Sequence, residues 1–480
     1  MSILVVDVGT SSLRAAIVRP DASVEHVHAR PLLPSTPAPG LVEFDAAEMA
    51  SAALECAQAA LAAGGPVDGV GITNQRASTI VWDRATGEPV GPGLGWQDLR
   101  TVGTCLVVRE QGLRVAPNAS ATKLAYLLDE ADPDRSRDLC FGTVDTWIAW
   151  TLSEGRLHVT DLSNAAVTAL MRGDGGGWSE STLDLLRIPA SVMPQVVDSS
   201  GVIGEASALD GAPPIAGMAG DQQASLVGQG CLAPGMAKIT FGTGGMLDLV
   251  LGSARPAFET RGDGGTFPIV TWRREGVATW GIEAIMLSAG TNVEWLRDDL
   301  GIIESSAASD EVASQCKDTE GVMYVPALLG LGTPAWDYGA RGTLLGITRG
   351  TERSHVVRAV LEGVAHRGAD LIEAAETDSG MQLPSVRVDG GMCANTTFVQ
   401  SLADASQRAV EISPELEATT RGAGFLAGLA LGTWPSDEAV MSTWQPARVV
   451  EPAATTDRER WRDACRRASG WIPELSSLDF

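Results

Sequence analysis

The chain has 480 residues, 44% hydrophobic and 20% charged, with a formal net charge of -25. That length holds two or three domains with their own cores, in the composition range of a soluble globular protein. Such acidity argues against nucleic acid as a partner, because phosphate-backbone binding needs a basic stripe, but it leaves room for a phosphorylated cofactor held by backbone N–H groups and a few local cations.

Lysine occurs only at 123, 238 and 317, so Arg carries nearly all the positive charge, which reads as coding bias. The seven Cys, at 56, 105, 140, 231, 316, 393 and 465, form no CxxC pair. They suit reduced thiols in a cytoplasmic protein better than a disulfide framework or a zinc site. The start runs at once into Ile3-Leu4-Val5-Val6 and Asp7, unlike a signal peptide. The longest apolar run, Val322 to Trp336, is broken by Pro326, Gly330, Gly332 and Pro334, so no membrane span is expected.

Ile3 to Val6, Asp7-Val8-Gly9-Thr10-Ser11-Ser12, then Leu13 to Val18 reads as strand, Gly-containing turn, strand. Glu48 to Ala63 is a helix by its Ala and Leu content, stopped by Gly64-Gly65-Pro66. Val67 to Thr73 and Thr79 to Trp82 are strands around Asn74-Gln75-Arg76-Ala77-Ser78, Gly91 to Asp98 is a loop exposing Trp96, and Thr122 to Glu130 is helical. Arg172 to Gly177 is a surface turn.

Pro214-Ile215-Ala216 leads into Gly217-Met218-Ala219-Gly220-Asp221-Gln222-Gln223 and then an amphipathic pattern, which predicts strand, tight turn and helix with a carboxylate at the helix mouth. Asp221 there either caps the helix or faces a cleft as a base. Lys238 to Phe241, Gly242-Thr243-Gly244-Gly245 and Met246 to Val250 repeat the hairpin of the N-terminus. Two such hairpins half a chain apart suggest two related, facing domains. Beyond them, helices are expected over Ala284 to Leu300, Arg353 to Glu376, Ala394 to Ser406, Arg421 to Leu431 and Thr455 to Trp471, with strands over Gly321 to Ala327 and Ser385 to Val388. Strands alternating with helices predict an α/β architecture with ligands at strand ends.

The Gly-bearing turns Asp7-Val8-Gly9-Thr10, Gly242-Thr243-Gly244 and Asp389-Gly390-Gly391 each read alone as ordinary turns. Together they suit a nucleotide triphosphate between two domains, because Gly lets backbone N–H groups approach phosphate and Thr adds a hydroxyl.

Several longer strings carry a resemblance. They are Gly71-Ile72-Thr73-Asn74-Gln75-Arg76, Phe141 to Trp147, His158-Val159-Thr160-Asp161, Gly220-Asp221-Gln222-Gln223, Trp295-Leu296-Arg297-Asp298, Gly342 to Glu362, and Arg387-Val388-Asp389-Gly390-Gly391. On these the chain resembles the FGGY carbohydrate kinase family, and within it the glycerol kinases, over essentially its whole length. The resemblance implies two ribonuclease H-like domains of the actin and hexokinase type, α/β in class, with ATP and Mg2+ in the cleft between them. Residues 1–232 would form the N-terminal domain, 236–435 the C-terminal domain and 436–480 a helical extension.

By resemblance, Asp221 is the general base that takes the acceptor hydroxyl's proton. Thr10, Ser11 and Arg14 form the first phosphate loop, Thr243 the second, and Asp7 and Asp221 lie near the metal. Gly290, Gly391 and Asn395 match nucleotide-contacting positions, while Glu294 stands where glycerol kinases usually have Gln. In the acceptor pocket Arg76, Trp96, Asp221 and Gln222 are kept. Ala77, Asn118 and Met246 replace the family's Glu, Tyr and Phe. Ala77 cannot accept a hydrogen bond from a terminal hydroxyl, and loss of such a contact can cost a site ~10⁴ in discrimination.

The pocket is therefore expected to be larger than that of a glycerol kinase and to take a tetritol, pentitol or ketose, the alternative being glycerol itself with water or other side chains refilling the space. The loop Asp210 to Pro214 lacks the Arg of glycerol kinases inhibited by fructose-1,6-bisphosphate, so that regulation is expected to be absent. Lys123 of the family's N-terminal signature is present, with Asn118 and Tyr126 as departures. The reading is an ATP-dependent polyol or sugar kinase, cytoplasmic, forming homo-oligomers of dimer type. A non-catalytic ATP-binding clamp of the actin and chaperone type is the alternative from another class.

Overall fold

The computed structural model describes residues 1–414 and 417–478. Thirteen strands form one sheet, in the order Arg448–Val450, Ala409–Ile412, Ser385–Asp389, Ala237–Phe241, Gly245–Gly252, Val277–Met286, Phe267–Arg274, Ser200–Glu205, Pro214–Gly220, Gly69–Asn74, Ile3–Val8, Ser12–Val18, Val24–Pro31.

The halves share one topology. Ile3–Val8 pairs antiparallel with Ser12–Val18 and parallel with Gly69–Asn74, and Ala237–Phe241 pairs antiparallel with Gly245–Gly252 and parallel with Ser385–Asp389. Ser12–Val18 and Gly245–Gly252 each take a further antiparallel neighbour, Val24–Pro31 at the sheet edge and Val277–Met286 toward the sheet centre. The halves meet through one register pair, Ser200 with Arg274. Each half has its own core, one around Leu4, Val6, Ile72 and Trp82 and one around Ile239, Phe241, Val360 and Phe398.

Between them two helices cross at very short range. Asp221–Gly228 follows the strand Pro214–Gly220, and Ala418–Leu431 comes from the other half of the chain. A Cβ at Gly228 would lie 1.8 Å from the Ala418 carbonyl oxygen, and one at Gly422 would lie 1.7 Å from that of Ala224. Only glycine lets the backbones approach this closely. A third apolar cluster, including Ala219, Leu226, Ala423 and Phe425, seals the junction.

Most expected elements are present with edges moved by a few residues. The helix after Asp45 runs Ala46–Gly64, with Asp45 accepting from the N–H groups of Ala47 and Glu48 and Gly65 at φ 81° closing it. The long helix is Arg353–Ser379 and the C-terminal one Arg458–Ala468. The helix expected over Ala284 to Leu300 is not found. Residues up to Met286 belong to the strand Val277–Met286, and only Thr291–Glu294 is α-helical, followed by a π-helical turn at Trp295–Asp299. Pairing on both edges, with Gly245–Gly252 and Phe267–Arg274, overrides the helical pattern. No described helix is long and apolar enough to cross a membrane.

Candidate active site

Asp221 is the first residue of its helix, and Gly220 occupies the N-cap. Among the described residues the Asp221 side chain accepts a hydrogen bond only from the adjacent Gln222 N–H, at 2.8 Å, so the structure does not use it as the helix cap. The strand end before it is held from the side: the Ser163 hydroxyl accepts from the Gly220 N–H at 3.1 Å. Ser163 sits in a short helix whose N-terminus is capped by buried Asp161. Burial pushes the Asp221 carboxyl upward, while Arg76, the Gln222 N–H and Lys238 oppose the shift. With 32% of the side chain exposed, that push is weaker than full enclosure would give.

Arg76 follows the strand Gly69–Asn74 and reaches two carboxylates, with Nε 3.5 Å from Asp221 and Nη2 2.7 Å from Glu283. Burial works against its charge, and the carboxylates of Glu283, Asp221 and Asp248 outweigh that and hold it above the usual guanidinium range. Ala77 comes next at φ 61°, buried, its carbonyl accepting from the Thr79 and Ser120 hydroxyls.

Trp96 is half-buried rather than exposed on its loop, because the loop is anchored on both sides. Its N–H donates to the Ser78 hydroxyl at 3.1 Å, and buried Asp98 accepts from the Val42 N–H and from Arg100. Lys123, also buried, donates to the carbonyls of Trp96 (3.0 Å) and Asn118 (3.1 Å), joining the two loops of the expected acceptor wall. Burial pushes the Lys123 amine down to about 7. The Asn118 side chain stays exposed, and Met246 is half-buried in the second hairpin.

The Trp96 indole N–H donates to the Thr10 hydroxyl at 3.2 Å, which brings the expected acceptor wall and first phosphate loop together. Ser11 is exposed at the hairpin tip. Arg14 pairs with Asp7 (3.2 Å) and with Glu417, so phosphate would have to draw its guanidinium away from Glu417. Asp7 is 2% exposed and accepts from the Thr420 hydroxyl at 3.1 Å. Burial pushes its carboxyl up to about 6, against the pull of Arg14, and the nearby Asp221 charge adds to the rise.

On the opposite side the Gly242-Thr243-Gly244 tip faces solvent at Gly242 and Thr243. Gly290 N–H donates to the Gly242 carbonyl (2.9 Å), so the turn and the start of the Thr291–Glu294 helix are joined. A Cβ at Gly290 would come within 4.0 Å of Met392, next to exposed Gly391. Glu294 points to solvent. Asn395 is nearby in the chain, but its side chain caps the helix Thr396–Ser406 and donates to the Ser309 hydroxyl, so both ends of its amide are already engaged.

Asp7 and Asp221 would suit a divalent cation: the charge of Asp221 reaches Asp7, and burial disfavours each carboxylate. No cluster of three His, Cys, Asp or Glu side chains with metal-ligand placement exists among the described residues. A cation there would take its remaining ligands from phosphate oxygens and water, as Mg2+ commonly does.

Several neighbours of the site escaped the sequence reading: Glu283, Asp248, Lys238, Glu417 and Thr420. One signal was available. Two of the three lysines, Lys123 and Lys238, are buried beside the expected acceptor wall, and their persistence in an Arg-dominated chain is informative.

The model of the FGGY family of carbohydrate kinases, N-terminal domain, matches residues 2–228, and that of the C-terminal domain matches residues 237–431. A glycerol kinase of Aromatoleum aromaticum is 42% identical, covering 98% of this chain and 99% of its own. One of Deinococcus radiodurans is 40% identical, with 98% of each chain covered. Among solved structures, Plasmodium falciparum glycerol kinase with ADP superposes with a TM-score of 0.89 at 27% identity, over 100% of this chain and 99% of the other. A xylulose kinase from Brucella ovis, at 24% identity, shares the fold with a TM-score of 0.86 over 100% of both chains. The chain belongs to the FGGY family of carbohydrate kinases, two-domain ATP-dependent enzymes that phosphorylate an alcohol group.

Proposed function

We propose that the enzyme transfers the γ-phosphoryl group of ATP to a hydroxyl of a small polyol or sugar longer than glycerol, with Asp221 as the base. The observation that supports this reading is the Trp96 to Thr10 hydrogen bond, which joins a residue assigned to the acceptor wall to one assigned to the first phosphate loop. Asp221 accepts the proton of the attacking hydroxyl, and Arg76 and Gln222 orient the acceptor's other oxygens. The Trp96 ring covers its carbon chain. Thr10, Ser11, Arg14 and Thr243 hold the phosphates, with Gly290, Glu294, Gly391 and Asn395 along the nucleotide. Bound at Asp7 and Asp221, Mg2+ would neutralise phosphate charge, and positioning with charge neutralisation is most of what phosphoryl transfer requires.

The longer acceptor is supported by Ala77, whose buried methyl offers no hydrogen-bond acceptor, and by exposed Asn118 and flexible Met246. Glycerol as the acceptor is the second reading, favoured by relatives named glycerol kinase at about 40% identity over nearly their whole length. The test is product analysis by phosphorus NMR after incubation with MgATP and glycerol, erythritol, xylitol or ribulose. A phosphate monoester of the acceptor supports the kinase reading. Nucleotide-dependent closure with no phosphorylated product would instead support an ATP-driven clamp.

A further inference from the structure

Behind the pocket, three adjacent strands place charged side chains directly opposite one another. Lys238 is in register with Asp248, and Asp248 with Glu283. Directly opposed residues share one face of a sheet. Lys238 and Asp248 are both fully buried and 2.8 Å apart. The Glu283 side chain is 6% exposed and holds Arg76 Nη2 at 2.7 Å. At the far end of the row, Lys238 Nζ donates to Gln222 Oε1 at 2.6 Å and to the Thr240 hydroxyl at 3.0 Å, in addition to its pairing with Asp248. The row thus begins at one neighbour of Asp221 and ends at the other.

A buried ion pair contributes little net stability, because desolvation offsets most of the attraction. Fixing the direction of polar groups is a use that desolvation does not cancel. Gln222 could present either its oxygen or its nitrogen to a ligand. Lys238 takes the oxygen, which leaves the nitrogen as the end offered to the acceptor. Arg76 has its Nη2 committed to Glu283, while its buried Nη1 has no hydrogen bond to any described residue.

We propose that Asp248 is a positioning residue for the acceptor: through Lys238 and Glu283 it fixes Gln222 and Arg76 so that both present donors beside the base. The inference rests on the assignment of Arg76 and Gln222 to the acceptor wall. The pocket then offers donors from two sides and one acceptor, Asp221. The reacting hydroxyl donates to Asp221, and the acceptor's neighbouring oxygens receive.

The test uses Asp248→Asn and the double variant Lys238→Met/Asp248→Leu. The latter removes both charges together and leaves no buried ion uncompensated, so it is expected to fold. Steady-state kinetics with glycerol and with erythritol, each against MgATP, should show acceptor KM raised about tenfold or more with ATP KM unchanged within twofold. A purely structural pair would lower the melting temperature and the active fraction without moving either KM, and acceptor KM within twofold of wild type would overturn the proposal. If wild type turns over neither compound, the acceptor assignment fails on its own, and crystal structures decide the network. Gln222 should leave its wild-type rotamer in both variants, and unchanged Gln222 and Arg76 rotamers would refute the positioning role.

Discussion

Arg76 Nη2 and Glu283 Oε2 meet at 2.7 Å across the two halves of the chain, one contributed by the strand Gly69–Asn74 and its following turn, the other by Val277–Met286. This ion pair ties the two halves together, and the same guanidinium also reaches Asp221. Glu283→Ala would take away the short contact of a buried guanidinium and leave the 3.5 Å contact to Asp221 and the charge of Asp248. Breaking one partner of a buried pair costs about 3–5 kcal/mol, and urea denaturation of the free protein should show a loss toward the lower end of that range.

Asp221→Asn removes the proposed base and keeps its size. A loss of ~10²–10⁴ in kcat is expected. Burial raises the Asp221 carboxyl above its ordinary value. The acid limb of kcat/KM should therefore lie higher than a free aspartate would give. Near-normal turnover by the variant would remove Asp221 from the chemistry.

Asp7 is expected to trade stability for function. Its carboxyl is raised to about 6 from 3.8, so the fold prefers the neutral form, and ionisation at neutral pH costs about 2–3 kcal/mol. The sign is that of a raised pKa: the stabilisation is fully present below about 4 and is lost as pH rises through 6. Asp7→Asn should therefore melt higher than wild type at pH 8 in EDTA, with the difference shrinking as pH falls toward 4. Its kinase activity with MgATP should fall by at least ~10²-fold. Equal melting temperatures across that pH range would contradict this account of Asp7.

Gly422→Ala places a methyl 1.7 Å from the Ala224 carbonyl oxygen, so the two crossing helices must separate. Overpacking of this kind costs typically ~1–3 kcal/mol or more. Thermal melting should show the loss. Gly103→Ala, on an exposed helix where a Cβ meets nothing within 4 Å, serves as the control with no loss.

The parts of this architecture that were legible in the sequence are the local ones. The two hairpins announce themselves because polar and Gly residues concentrate at Asp7 to Ser12 and Gly242 to Gly245 between apolar arms. The strand leading to Gly220-Asp221 was equally readable, although the choice between cap and base was not. Residues 284–286 were misread as helical because sheet pairing is decided by distant partners, which a single window does not contain. The charged row Lys238, Asp248 and Glu283 was invisible for the same reason: each appears as a lone charge in an apolar strand, and only the register aligns them. Arg14 and Asn395 were placed by resemblance, whereas their engagement with Glu417 and with Ser309 and the helix end depends on tertiary packing.

The most direct measurement of the central claim is kcat/KM for ADP release with glycerol, erythritol, xylitol and ribulose, in wild type and in Ala77→Glu. The rebuilt wall predicts that at least one four- or five-carbon acceptor exceeds glycerol in wild type, and that restoring a carboxylate at position 77 moves the preference back toward glycerol. Glycerol exceeding every longer acceptor by more than tenfold in wild type would contradict the account.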